Sequence, residues 1–347
     1  MRKLSCAERI SFLRSTTVYM RSGMPLTNAL ALYAGSIERS SSEMITSIGN
    51  AIAEGRPLSA ALSDHPRSFG PVEIGVLRAG EATGALPEHL EYLAALLERR
   101  ARLSASLRSA LIYPMIVFFG TTAISGFIIL YALPRILPIF AGFHERLPFS
   151  TRLLLHAYAL VHDHFLLLLL AAIAAAFACR QASRWPRVRR ALERAALRAP
   201  IARNITKNYY AGVLCRLLGG LIRRGMRLPA AIDLARSTVR FEAYRASLTS
   251  LDTHILSGSP ASTYLRTRPD LYPAEMAALA ELGEATGTLA TCLESAADLF
   301  EERLAKTLKA ASSSLEPALL ACAGIVVGFV ALSILSPIYT LTQGISA

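Results

Sequence analysis

The sequence of 347 residues lacks the motifs that identify several large classes of enzyme. It has no G-x-x-x-x-G-K-[ST] loop, which argues against a P-loop NTPase, and no H-E-x-x-H zinc motif. The five cysteines include no pair at C-x-x-C spacing, so neither a disulfide framework nor a zinc site is indicated. We therefore predict no catalytic residue, no metal ligand, no cofactor-binding residue and no cofactor.

Charged residues are also scarce, at 18% of the chain against 53% apolar residues. That balance is typical of a protein with membrane segments beside globular ones. The net charge of +12 fits either nucleic-acid binding or basic residues next to membrane spans. We favour the second and expect no nucleic-acid partner, because the arginines are densest just after an apolar run. The N-terminus has no apolar signal-peptide core, so the first domain is expected to stay in the cytoplasm.

One motif of seven residues occurs twice, 203 residues apart. Gly80–Leu86 and Gly283–Leu289 differ at a single position, and Pro114 recurs as Pro317 at the same spacing. Most of the chain is therefore a duplicated unit, in which a polar domain precedes an apolar segment. Helical spacing of apolar residues without alternating runs predicts an all-α protein with about six helices in each copy.

Three apolar segments predict an integral membrane protein with three transmembrane helices. Met115–Leu133 contains nineteen residues without a charge, enough to span a bilayer. Seven arginines between residues 180 and 198 place the chain after the second span in the cytoplasm. The predicted division is a cytoplasmic helical domain at 1–112, spans at 113–139, 153–179 and 316–341, a periplasmic loop at 140–152, a second cytoplasmic helical domain at 180–315, and a periplasmic tail at 342–347.

The duplicated motif supplies the main candidate site. We expect its first glycine to end a helix in the left-handed conformation, its threonine to cap the next helix, and its second glycine to permit a tight turn. The glutamate leaves two interpretations open: a structural helix corner, which we favour, or binding of a partner's arginine or a metal ion. The candidate residues are Gly80, Glu81, Thr83, Gly84, Gly283, Glu284, Thr286 and Gly287.

Two further groups of residues belong to the predicted spans. Tyr113 and Pro114 mark the start of the first span, and Glu316 and Pro317 the start of the third. The small-residue motif at 324–328, with Gly324 and Gly328, lets helices approach closely in lipid, either within the chain, which we favour, or between copies.

Two other functional classes remain as alternatives. A small-solute transporter would need polar or broken helices at the membrane midplane, and with three spans it would have to oligomerise. A membrane-bound enzyme would have to use the cluster His162-Asp163-His164, whose two histidines point apart on a helix. We interpret that cluster as an interfacial one at the outer mouth of the second span.

Taken together, these motifs resemble a known family. The two G-E-x-T-G-x-L copies, the segment Gly23–Leu26 followed by Ala29-Leu30, and the segments Leu111–Pro114 and Leu315–Pro317 resemble the inner-membrane platform proteins of type II secretion and type IV pilus machines (the GspF/PilC family). The resemblance covers both repeats. In its short N-terminus the chain is more similar to the compact platform proteins of type IVb and competence pili.

The resemblance implies a non-enzymatic protein of the bacterial inner membrane, multi-pass, with a cytoplasmic N-terminus and a periplasmic C-terminus. It implies contact with a cytoplasmic hexameric assembly ATPase, whose motion is passed to pilin or pseudopilin subunits. Other inner-membrane assembly proteins, membrane lipid and further copies of the chain in a homo-oligomer are the remaining expected partners. Some family members carry a metal ion near the first domain, but no ligand set is visible in this sequence.

Overall fold

The computed structural model describes residues 3–128, 131, 185–239 and 241–345, with scattered residues between 156 and 181. All regular secondary structure in these residues is helical, which confirms the all-α prediction. The chain divides into two compact units. The first comprises Met1–Ser106 with Glu193–Thr307, and the second comprises Leu107–Leu192 with Leu308–Ala347.

The helices repeat in the same order along the chain. The first repeat consists of α1 (Cys6–Arg21), α2 (Leu26–Gly35), α3 (Arg39–Ala53), α4 (Leu58–Ser63), α5 (Pro71–Thr83) and α6 (Leu86–Phe127). After α7 (Pro186–Arg198), the second consists of α8 (Pro200–Arg223), α9 (Leu228–Thr238), α10 (Glu242–Leu256), α11 (Ala261–Thr267), α12 (Ala274–Thr286) and α13 (Leu289–Ile345).

The corners between these helices are also duplicated. Six glycines of the described residues have positive φ, and they form three equivalent pairs: Gly23 with Gly225, Gly55 with Gly258, and Gly84 with Gly287. Glycine adopts this conformation without the steric cost that a Cβ atom brings. A shift of 202 residues relates the first pair and a shift of 203 relates the other two. The same corner geometry is therefore encoded twice.

Each repeat contributes an aromatic cluster to the hydrophobic core of the first unit. Phe12 of α1 is fully buried, and its ring centroid lies 5.7 Å from that of Tyr33 and 5.8 Å from that of Phe69. In the second repeat, Tyr244 stacks on Tyr210 at 4.4 Å and donates a 2.7 Å hydrogen bond to a backbone carbonyl. Buried aromatic pairs of this kind add about 0.5–1.5 kcal/mol each beyond the burial of their area.

The second unit has a different surface. Its described residues expose apolar side chains, including Ile116 (65%), Phe119 (59%) and Ile325 (71%). Among the described residues, no helix combines the length and the apolar character needed to cross a membrane. The predicted loop at 140–152, and most of the predicted span at 153–179, lie outside the described residues.

Candidate functional site

The glutamate of the first motif caps a neighbouring helix. Helix α4 begins after Pro57, which has no side-chain hydrogen-bond acceptor for the free amides of the first turn. Glu81 of α5 supplies that acceptor: its carboxylate accepts from the Ser59 amide at 3.0 Å and from the Ser59 hydroxyl at 2.5 Å. A carboxylate at a helix N-terminus also interacts favourably with the helix dipole.

The second motif repeats this arrangement. Helix α11 begins after Pro260, again without a side-chain cap. Glu284 accepts from the backbone amides of Ala261 at 2.6 Å and Ser262 at 3.3 Å, and from the Ser262 hydroxyl at 2.5 Å. Ser262 is the equivalent of Ser59. In both repeats the glutamate of the motif therefore substitutes for a missing N-cap.

The first glycine of the motif does not end a helix, so that prediction was wrong. Gly80 is buried inside α5, where a Cβ atom would lie 2.9 Å from the Cβ of His89 on α6. Its equivalent Gly283 lies inside α12, where a Cβ would lie 2.6 Å from the Cα of Leu289. The residue is needed because two helices cross closely at this point.

The left-handed residue is the second glycine. Gly84 has φ +67° and ends α5, and Gly287 has φ +69° and ends α12. The prediction that threonine caps the next helix was also wrong. The Thr83 hydroxyl donates back to the Ala79 carbonyl at 2.9 Å, and the Thr286 hydroxyl donates back within its own helix at 2.7 Å.

A second arrangement joins the two repeats inside the first unit. Tyr92 of α6 is 7% exposed, and its hydroxyl donates to the carbonyls of Arg216 at 3.2 Å and Leu217 at 3.3 Å. Its ring lies against Gly220 of α8 so closely that a Cβ atom there would overlap it. The Arg224 guanidinium covers the ring at 4.0 Å, and burial raises the pKa of Tyr92 above its ordinary value.

An ion-pair network borders this tyrosine. Asp298 and Glu301 of α13 bind Arg216 of their own repeat, with 3.1 Å between the Glu301 carboxylate and the Arg216 Nε. Arg99 of α6 reaches the same two carboxylates from the other repeat, at 3.1 Å and 3.3 Å. Because Arg216 is largely buried, breaking the network leaves a charge that water solvates poorly.

Helices α5 and α9 complete the contact between repeats. Gly75 of α5 faces Leu234 of α9, and a Cβ atom on the glycine would lie within 2.5 Å of the leucine side chain. These interface residues were not predicted from the sequence. The pair Gly219-Gly220 inside a helical pattern could have indicated them, because glycine in a helix interior often marks a close approach of another element.

The predicted residues of the spans belong to the second unit. Tyr113 and Pro114 lie inside α6, and Glu316 and Pro317 lie inside α13. Both helices continue through those positions without a break. The two predicted packing residues, Gly324 and Gly328, also lie in α13. A Cβ atom added to either glycine would meet no described atom within 4 Å.

The described part of the chain holds no group of three or more histidine, cysteine or acidic residues that could bind a metal ion. Asp163 and His164 of the predicted interfacial cluster are exposed, and His162 lies outside the described residues. Burial raises the pKa of the Cys215 thiol to about 12, so little thiolate is present at neutral pH.

Comparison with known proteins bears on the same two repeats. The chain matches the family described as "Type II secretion system (T2SS), protein F" over residues 12–134 and again over residues 214–337. It is 30% identical to the type II secretion system protein F of Xanthomonas campestris over 98% of this chain and 84% of the relative.

Other relatives carry the name of a pilus protein. The chain is 28% identical to the type IV pilus assembly protein PilC of Thermus thermophilus over 96% of this chain and 82% of that protein. It is 22% identical to the protein of the same name from Pseudomonas aeruginosa, over 95% of this chain and 88% of the relative. Because the family match spans both copies of the duplicated unit, the chain belongs to the type II secretion system protein F family, which includes the PilC proteins of type IV pilus assembly.

Proposed function

We propose that the chain is an inner-membrane platform protein of a type IV pilus or type II secretion machine. In this role it couples a cytoplasmic assembly ATPase to the polymerisation of pilin or pseudopilin subunits. The observation that carries the proposal is the family match over both repeats, together with relatives named for pilus assembly and for secretion. The proposed role is mechanical, and it needs no catalytic residue.

The way the two repeats are joined supports a mechanical role. Tyr92 fills the space left by Gly220, and Arg99 shares two carboxylates with Arg216. Close-packed and ion-paired surfaces of this kind resist sliding. A displacement imposed by an ATPase on one repeat is therefore carried to the other repeat rather than absorbed at the boundary.

We further propose the membrane topology set out from the sequence: spans at 113–139, 153–179 and 316–341, with both helical domains in the cytoplasm. The uncharged run at 115–133 and the arginines at 180–198 support it. The exposed apolar side chains of the second unit also need lipid or protein to cover them. A reporter fused after residue 347 is expected to be periplasmic, and a cytoplasmic signal there contradicts this topology.

The ATPase contact is tested with the full-length chain in lipid nanodiscs. The assembly ATPases encoded by the same bacterium are added one at a time, and bound ATPase is quantified after capture of the disc. We expect one of them to be retained, and empty discs serve as the control. If none is retained, while the chain in the discs has the thermal unfolding midpoint of the membrane-extracted protein, the coupling proposal is wrong.

A further inference from the structure

The two repeats contact each other head to tail: the face that the first repeat uses is not equivalent to the face that the second repeat uses. The first repeat contributes α5 and α6, and the second contributes α8, α9 and the start of α13. In the described part of the chain, the positions equivalent to these contacts are exposed. They form two uncovered faces: one on α1 and α2 with Val18 and Leu32, and one on α12 and α13 with Ala278 and Ser295. A contact that uses two different faces can continue from one molecule to the next.

Apolar side chains are exposed on both uncovered faces. In the described part of the first unit, four large apolar side chains are exposed: Val18 (63%), Leu32 (50%), Leu256 (69%) and Leu282 (53%). Val18 and Leu32 lie on α1 and α2, and Leu282 lies on α12. Three of the four therefore lie on the helices that the contact between repeats leaves free.

At the contact of Tyr92 with Gly220, the equivalent pair on the uncovered faces has the large and the small residue on opposite sides. Within the chain, the large Tyr92 packs on Gly220. At the equivalent positions of the uncovered faces, Ser295 replaces the tyrosine and Val18 replaces the glycine. A large residue against a small one thus becomes a small residue against a large one, which keeps the total volume at the contact similar.

At the contact of Gly75 with Leu234, the equivalent pair keeps the small and the large residue on the same sides. Gly75 of α5 accommodates Leu234 of α9 inside the chain. The equivalents are Ala278, which is exposed on α12, and Leu32, which is exposed on α2. A small residue again faces a leucine. Leu282 lies one helical turn after Ala278 and extends the same apolar face.

One charge of the contact inverts at the equivalent positions, and one carboxylate is lost. Inside the chain, the positive Arg99 meets Asp298 and Glu301. Glu302 stands at the position of Arg99, so a negative residue replaces the positive one. Ala95 stands at the position of Asp298, so the opposite face loses a carboxylate.

The face that Glu302 would meet carries more positive than negative charge. Glu98, the equivalent of Glu301, is paired there with Arg14 at 2.6 Å and with Arg102 at 3.8 Å. Two guanidinium groups surround one carboxylate, and both arginines are well exposed. In the described part of the chain, Glu302 pairs with Lys306 on its own helix, and an exposed pair of this kind contributes little.

From these matches we propose that the α1–α2 face of the first repeat binds the α12–α13 face of a second copy of this chain. The contact between molecules would reproduce the contact between repeats, with Ser295 on Val18, Ala278 on Leu32, and Glu302 near Arg14. Head-to-tail contacts of this type build rings or open filaments rather than closed two-fold dimers. The proposal stands independently of the role in fibre assembly proposed above.

Cysteine cross-linking between two differently tagged full-length copies in the membrane tests the proposal. The native cysteines are replaced by alanine, one copy carries Val18→Cys, and the other carries Ser295→Cys. We expect a disulfide-linked product containing both tags. A copy carrying Leu256→Cys in place of Val18→Cys is the matched control, because Leu256 is equally exposed and lies on neither face, and no product is expected from it. Leu32→Arg added to the Val18→Cys copy is expected to abolish the cross-link.

Three results would overturn the proposal. A product between two Val18→Cys copies without one between Val18→Cys and Ser295→Cys shows a two-fold dimer through α1. Protection of Val18→Cys from a water-soluble maleimide without any cross-link shows that another protein or lipid covers the face. Free maleimide labelling without any cross-link shows that the face stays open.

Discussion

Glu81 and Ser59 lie 22 residues apart in sequence, and the Glu81 carboxylate accepts both the amide and the hydroxyl hydrogen of Ser59. We expect Glu81→Ala to destabilise the first unit by about 1–3 kcal/mol, the cost of leaving the buried donors of Ser59 without a partner. The measurement is the thermal unfolding midpoint of the detergent-solubilised chain. Glu43→Ala is the control, because Glu43 is an exposed residue of α3 that lies outside the first turn of that helix. Equal midpoints for the two variants would show that the cap does not stabilise α4.

Two substitutions of Glu81 separate the two interpretations of the motif. If Glu81 only caps α4, Glu81→Ala lowers the amount of protein in the membrane and fibre assembly together. If Glu81 also contacts a partner, Glu81→Gln impairs assembly at a normal protein level. Immunoblots of membranes, read beside counts of surface fibres, distinguish these outcomes.

The left-handed glycines give a second prediction. Gly84→Ala and Gly287→Ala place a Cβ atom at positive φ, which costs about 1–2 kcal/mol per residue. Gly35→Ala is the matched control, because Gly35 has neither a positive φ nor a neighbour within 4 Å of an added Cβ. We expect the control to keep its thermal midpoint and both corner variants to lose several degrees. An unchanged midpoint for Gly84→Ala would contradict the assigned helix end.

The contact between repeats gives a third prediction, in the form of a double-mutant cycle. Gly220→Val forces a side chain into the ring of Tyr92, so we expect a lower thermal midpoint. Tyr92→Ser creates space there and is expected to be destabilising by itself. Combined, the two changes reproduce the serine and valine found at the equivalent positions, and they are expected to cost less than the sum of the single changes. Strict additivity would show that the two residues are not coupled.

Acid sensitivity gives a fourth prediction. The hydrogen bond from Arg14 holds the pKa of Glu98 below its ordinary value, and the bond from Arg303 does the same for Glu275. A carboxylate with a lowered pKa in the folded state stabilises that state fully above its unfolded value of about 4.3. The contribution is lost as the pH falls through the lower, folded value. The free energy of unfolding is therefore expected to decrease as the pH is lowered below about 5.

Paired substitutions identify the source of that acid sensitivity. Arg14→Met with Arg303→Met removes both hydrogen-bonding partners, and the pH dependence of the thermal midpoint between about pH 5 and 3 is expected to flatten. Arg78→Met with Lys309→Met is the control, because it also removes two positive charges from exposed helical positions. An unchanged slope in the double variant would show that other groups cause the acid sensitivity.

The sequence alone indicates the duplication, the helical class and the family, because these depend on repeated local patterns. It does not distinguish Gly80 from Gly84 as the helix end, since either glycine can adopt positive φ. The choice depends on His89, which approaches Gly80 from the following helix. Tyr92 and Gly220 meet across 128 positions of chain, and nothing local in either segment encodes that contact. The subtype of platform protein and the boundaries of the spans stay predictions.

Deletion and complementation in the source organism test whether the chain is required for fibre assembly or for protein secretion. Surface fibres and secreted substrates are quantified, together with the pilin or pseudopilin retained in the membrane. We predict that deletion abolishes the fibre or the secretion while subunits accumulate in the inner membrane, and that the wild-type chain restores assembly. Unchanged fibres and unchanged secretion after deletion would show that the chain is not a platform protein of either machine.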